Sequence, residues 1–206
     1  RYDGPLHLRD EATAIAIDSS GNAYVSGIQT GLQGWLEILT QKIGANGTQE
    51  WSRSYKHYGQ YFYRNRLAID KSGNICVAGL NFDGGTGNFI LTIIKYSPEG
   101  NELWHDQFDS TAHISKLLTD DNNNIYIIGA YGYNGLNARI HKLDSNGIHI
   151  WDKPFLPMIH DAKIDFRGNL ILTGGTTSDF TSVYYIGTIN GNGDIVWETQ
   201  NNSPLS

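Results

Sequence analysis

A chain of 206 residues, 39% of them hydrophobic, is long enough to bury a sizeable core and short enough to form one domain. Its net charge of −6 comes without any Lys/Arg cluster, which argues against DNA or RNA as a partner. No apolar run approaches the ~20 residues of a membrane-spanning helix, and the single Cys76 excludes an internal disulfide. The chain opens on Arg1 with no signal peptide, and its one methionine is Met158, so it reads as a processed or excised piece.

Taken in chain order, the first element is a short β-branched strand, Thr13-Ala-Ile-Ala-Ile17. It closes on Asp18-Ser-Ser-Gly21-Asn22, a turn in which the Asp side chain caps and Gly supplies positive φ. An apolar strand then runs to Gly27, and a loop carries Gly31-Leu-Gln-Gly34-Trp35. A third strand ends at Lys42, followed by the turn Asn46-Gly47 and a strand bearing Trp51. The same order returns as Asp70, Gly73-Asn74, Lys95, Gly100 and Trp104, and again as Asp120, Asn123, Lys142, Gly147 and Trp151. It returns once more as Asp165, Gly168-Asn169, Thr188, Gly193 and Trp197. Asn123 replaces the turn Gly in the third copy, and Asn tolerates left-handed φ nearly as well. Second strands such as Ile125-Tyr-Ile-Ile128 and Leu170-Ile-Leu172 are continuously apolar, which predicts burial on both faces.

A strand-only unit repeating every ~40–50 residues predicts an all-β fold, a β-propeller built of four-stranded antiparallel blades. The blades span roughly 12–55, 63–108, 113–155 and 160–201 within a single domain of residues 1–206. Trp51, Trp104, Trp151 and Trp197 recur at equivalent places, with Tyr55, Phe108 and Phe155 four positions later on the same strand face. Residues repeated in every unit suit blade-to-blade packing better than a local ligand site. Together with Gly21, Gly73, Asn123 and Gly168, the tryptophans form the structural signature of the repeat. Trp35 has no tryptophan counterpart in the other copies and is instead a binding candidate.

The pattern Asp-x-x-Gly-Asn-apolar-Tyr-Val-x-Gly, followed by Lys-x-x-x-x-Gly-x-x-x-Trp, resembles the bacterial seven-bladed β-propeller repeat family (SBBP-type repeats). More loosely, it is similar to the tryptophan-docked blades of quinoprotein-like propellers. The resemblance covers essentially the whole chain and implies a secreted or surface-associated protein of a bacterium or archaeon, extracellular or periplasmic, with an interaction role. Copy three departs by losing the turn Gly, and copy four by Thr188 for Lys and Asn201 for the aromatic after Trp197. An exposed end blade would show such changes. Arg1-Tyr2 matches Ser54-Tyr55, so the chain begins in the tail of a strand and ends after a complete copy. That phase favours an arc of a larger propeller over a compact four-bladed ring.

The Gly turns are tight and similar, so function is expected on the opposite, variable loops. These hold Trp35, Tyr58, Tyr61, Tyr63, Phe82, Tyr131, Tyr133 and Phe180 among Asn, Asp and Gly, a mixture that stacks on a sugar or packs against a protein. No Walker, His-Glu-x-x-His or Gly-x-Ser-x-Gly motif occurs, so no catalytic residue, metal or cofactor is assigned. His7, His57, His113 and His160 fall in or near blade-linking segments but make a weak metal set. The Asp-led turns lack the twelfth-position acid of a calcium loop and are read as caps. Two readings follow: a non-enzymatic binding module for a glycan or a protein, or an assembly subunit whose blade ends contact further blades or other copies.

Overall fold

A computed structural model of the protein describes residues 6–32, 34–56, 61–83, 88–110, 113–131, 137–155, 158–178 and 181–204. Blade 1 contains β1 (Glu11–Ile17), β2 (Ala23–Thr30), β3 (Leu36–Ile43) and β4 (Gln49–Lys56). Blade 2 contains β5 (Tyr61–Ile69), β6 (Ile75–Asp83), β7 (Asn88–Tyr96) and β8 (Glu102–Ser110). Blade 3 is built of β9 (His113–Thr119), β10 (Ile125–Tyr131), β11 (Asn137–Leu143) and β12 (His149–Phe155). Blade 4 is built of β13 (Ile159–Ile164), β14 (Leu170–Ser178), β15 (Thr181–Ile189) and β16 (Ile195–Pro204). Each blade is an antiparallel meander with its strands in chain order, and no helix occurs among the described residues. The fold is therefore all-β, made of four-stranded propeller blades. The chain divides into two compact units, Arg1–Ser110 with blades 1 and 2, and Thr111–Ser206 with blades 3 and 4.

The recurring Asp-x-x-Gly-Asn turn is a closed hydrogen-bond set. Asp18 Oδ1 accepts the backbone N–H groups of Ser20 and Asn22, each at 2.9 Å, while the Asn22 side-chain amide donates to Oδ2 at 2.8 Å. Asp70, Asp120 and Asp165 repeat the arrangement with Asn74, Asn124 and Asn169. This explains the Asn after the turn Gly, which orients the carboxylate from the far side. Gly21 has φ +82° and Asn123 φ +61°, so both hold the same left-handed turn.

A Gly inside the second strand of blades 1 and 4, Gly27 and Gly174, has a different cause. The innermost strand bulges beside it, between Ala12 and Ala14 in blade 1 and between Ile159 and Asp161 in blade 4. There the bulged strand comes so close that a Cβ on Gly27 would lie 1.9 Å from the Glu11 carbonyl oxygen, and one on Gly174 equally close to that of Met158. Only glycine admits that approach.

In unit 1, one face of blade 1 (Tyr24, Ile28, Ile38, Trp51) packs on one face of blade 2 (Ile75, Val77, Ile94, Tyr96). In unit 2, Tyr126, Ile128, Ile140 and Phe155 of blade 3 pack on Leu170, Leu172, Tyr185 and Ile189 of blade 4. Strand β6 is buried on both faces from Ile75 to Leu80, as continuous hydrophobicity predicts. Blade 4 breaks that expectation: Ile171, between buried Leu170 and Leu172, is 36% exposed.

Candidate functional site

The repeated tryptophans occupy three environments. Trp51 is buried between Tyr24 and Tyr96, ring centroids 6.0 and 6.1 Å away, and its indole N–H donates to the Pro98 carbonyl of the neighbouring blade at 3.0 Å. Trp151 is half-buried, and its N–H donates to the Gly191 carbonyl at 3.0 Å. Trp104 is likewise half-buried. Trp197 is exposed and does not fill the packing role assigned to it among the described residues.

Trp35 sits at the β2–β3 connection, 40% exposed beside Leu32, which is more exposed still. The loop is pinned where Gly31 N–H donates to the Trp35 carbonyl at 2.9 Å and Gly34 N–H to that of Gly31 at 2.8 Å. Beneath it lies a polar cluster in which Gln29 and Glu37 are buried and Ser54 is exposed. The Gln29 amide donates to Glu37 Oε2 at 2.9 Å and to Ser54 Oγ at 3.0 Å, and the Ser54 hydroxyl donates to the same carboxylate oxygen. Gly31 is needed over that cluster, since a Cβ there would collide with the Glu37 carboxylate. On the N-terminal side, the Thr30 hydroxyl donates to the Arg9 carbonyl at 3.0 Å, which ties down a segment whose Leu8 is exposed. The result is a rigid polar base with an apolar tip of Leu32 and Trp35.

Of the other loop aromatics, Tyr58, Tyr133 and Phe180 lie outside the described residues, as do the side chains of Tyr61, Tyr63, Phe82 and Tyr131. The backbone places Tyr61 opposite Phe82 at one end of the β5–β6 ladder, and Tyr131 at the end of β10.

A second surface lies on the Gly-turn side of unit 2, a side that sequence reading treats as structural. A cavity of about 540 Å³ opens there between the Asp120 and Asp165 turns and is lined further by Tyr126, Lys142, Phe166 and Arg167. Its carboxylates already have partners: Asp120 accepts from Asn124 and from the Tyr126 hydroxyl at 3.2 Å, and the Asn169 backbone N–H holds the Asp165 carboxyl below its ordinary value. The Lys142 ammonium donates to the Gly191 carbonyl at 2.8 Å, and burial lowers its pKa. Phe166 is 89% exposed with the Arg167 guanidinium 5.1 Å from its ring centroid, a solvent-facing aromatic-cation pair. The signal was present in the sequence, as Phe166 stands where the other copies have Ser19, Lys71 and Asp121.

Among the described residues no three His, Cys, Asp or Glu side chains come together as a metal site. Cys76 is fully buried, and burial pushes its thiol up to about 12. No helix of the described residues is long and apolar enough to cross a membrane.

Fold and surfaces together define the class: a β-propeller protein with an exposed aromatic tip on one unit and an aromatic-cation cavity on the other. No protein-family model matches the chain, nor does any curated protein. Among solved structures it is similar to a protein of unknown function from Bacteroides caccae, with TM-score 0.59 and 14% identity over 92% of this chain. The chain spans only 60% of that protein's length. It is also similar to a GH43_1 enzyme from Xanthomonas citri complexed with xylose, with TM-score 0.51 and 12% identity over 95% of this chain and 86% of the enzyme. A third similar structure is an acylaminoacyl peptidase from Pyrococcus horikoshii, with TM-score 0.50 and 8% identity over 89% of this chain and 31% of the peptidase. At such identities the likeness shows the fold alone.

Proposed function

We propose that this chain is a non-enzymatic recognition module of the SBBP repeat type, working outside the cell or at its surface, and that it binds a glycan or a protein through its variable loops. The observation that carries the reading is the Leu32–Trp35 tip held over the hydrogen-bonded Gln29–Glu37–Ser54 cluster. A solvent-facing indole on a loop fixed by backbone hydrogen bonds offers a flat apolar platform at little entropic cost on binding. No acid-base pair is assigned beside that platform, so the reading is one of capture rather than turnover.

The test is a glycan-array and surface-capture screen of the purified chain alongside Trp35→Ala, with binding expected to fall at least tenfold in the variant. Equal binding by both proteins removes the tip from the site. Turnover of an aryl glycoside or a peptide by the purified chain would reverse the non-enzymatic assignment.

A further inference from the structure

Two joints inside this chain show what a blade's tryptophan face requires. Lys42 pairs with Trp51, Lys142 with Trp151 and Thr188 with Trp197, so the three tryptophans occupy one register position on one face of their blades. On the first joint, the Trp51 ring lies against Gly100 of the next blade, where a Cβ would come within 2.7 Å of the ring, and its N–H reaches the carbonyl two residues before that Gly. On the second joint, the Trp151 N–H reaches Gly191, again two residues before the turn Gly193. Trp197 has no such seat. It is 47% exposed, no hydrogen bond of its indole occurs among the described residues, and Ile171 and Tyr184 on the same face are exposed with it.

Blade 1 exposes residues of the complementary half of the joint. Blade 2 receives blade 1 through Leu67, Ile69, Ile75 and Val77. Strand pairing makes Ile15, Ile17, Ala23 and Val25 their equivalents in blade 1. Ile15 and Ile17 are each 66% exposed where Leu67 and Ile69 are half-buried, and Ala23 and Val25 are half-buried where Ile75 and Val77 are buried. The turn equivalent to Ser97–Gly100 is Gly44–Gly47, closed by the same backbone hydrogen bond. Where Gly100 has a tryptophan ring, Gly47 has no atom within 4 Å of its Cβ direction, and Ala45, in the place of Pro98, is exposed.

We propose that the open face of blade 4 seats on blade 1 of a second copy of this chain, with Trp197 lying on that copy's Gly47 turn and donating its indole N–H to the Ala45 carbonyl. The occupant is specified by the joints already formed: it must present a β-branched receiving face and an unfilled Gly turn, and blade 1 carries both. The contact is heterologous, head to tail, so each copy keeps one further open face. One substitution makes it weaker than the internal joints. Arg53 donates to the Gly100 carbonyl at 2.7 Å and Lys153 to the Asn192 carbonyl at 2.9 Å, whereas blade 4 has Thr199 in that position. The surface shares no residue with the Leu32–Trp35 tip, so the two proposals stand or fall separately.

Sedimentation velocity across a hundredfold concentration range tests it. The unaltered chain should gain mass in whole multiples of 22.9 kDa as concentration rises. Trp197→Ala and the double variant Ile15→Lys/Ile17→Lys should each stay at the single-chain mass. An equimolar mixture of the two should form a complex that stops at two chains, because only one intact joint remains between them. Thr199→Arg should strengthen the assembly at least fivefold by supplying the missing cation. A single-chain mass for the unaltered chain at every concentration overturns the proposal. So does a dimer that both variants still form, or a mixture that stays monomeric while both variants keep the parent's circular dichroism.

Discussion

The joint between blades 1 and 2 and the joint between blades 3 and 4 use the same motif and fill it differently. In unit 1, Trp51 is sandwiched by Tyr24 and Tyr96, and the Lys42 ammonium, 5.6 Å from the Tyr24 ring centroid, pairs with the exposed Glu50 at 2.9 Å. In unit 2, the place of Tyr96 is taken by Ile189, a smaller side chain with no ring. Lys142 then lies 5.0 Å over the Tyr126 ring and donates to Gly191, while the 540 Å³ cavity opens beside it. Both joints are crossed by a cation two residues after the tryptophan, Arg53 or Lys153; unit 1 adds a second ring against its indole, and unit 2 adds the Lys142 bridge. A repeat motif thus sets where a joint forms, and the residues outside the motif set how it is filled.

The largest break in this contrast should come from the tryptophans. Trp51→Ala is expected to destabilise unit 1 by about 3–5 kcal/mol, as for a buried aromatic truncated to Ala, and Trp151→Ala to cost unit 2 roughly half as much, both read from urea denaturation. Equal losses would mean that the aromatic sandwich contributes nothing beyond one docked indole.

Acid should separate the units next. Burial, with Arg139 and His149 adding to it against the opposing Asp152, pushes the His141 imidazole down from 6.5 to about 4. The unfolded chain therefore binds a proton that the folded one refuses, and stability present above pH 6.5 is lost as pH falls toward 4. The loss is on the order of 2–3 kcal/mol. In unit 1 the sign is set by Asp70, which burial would raise but Lys95 at 2.8 Å and Asn74 hold low. Its contribution is present above the ordinary carboxylate range and is lost only as pH falls below it. His141→Gln should remove the slope between pH 6.5 and 4, and Asp70→Asn only the steeper limb below it, in melting temperatures followed against pH.

A smaller effect sharpens the ring-versus-cation distinction. Lys142→Met should cost about 1–2 kcal/mol through the lost charge-assisted bond, while Lys42→Met, whose ion pair is exposed on the Glu50 side, should cost under about 1 kcal/mol. The smallest stability change belongs to Phe166→Ala, within about 0.5 kcal/mol for so exposed a side chain. A measurable loss of ligand binding in that variant, with Trp35→Ala unaffected, would move the recognition surface to the cavity side of unit 2.

The sixteen strands, the blade order and the position of each Gly turn were legible because they recur, and recurrence exposes what every blade needs. What recurs was not always explained: the Asn after the turn Gly reads as turn filler, yet its amide orients the Asp carboxylate. The Gly after the second strand's apolar run reads as a boundary, yet it lies inside the strand, and in blades 1 and 4 a neighbouring carbonyl requires it. Unrepeated features were harder to read. Phe166 stands out only against Ser19, Lys71 and Asp121, and copy four's departures at Thr188 and Asn201 mark an exposed end blade, whereas the exposure of Ile15 and Ile17 depends on which blade has a neighbour, which no local pattern in the chain encodes.

Cys76 gives unit 1 a built-in clock. Its thiol has no access to solvent in the folded strand and stays protonated far above neutral pH, so a maleimide or disulfide reagent reacts with it only when β6 comes away from its neighbours. Because the chain has no other sulfhydryl, a single mass increment would time that opening event in isolation, without a label having to be introduced.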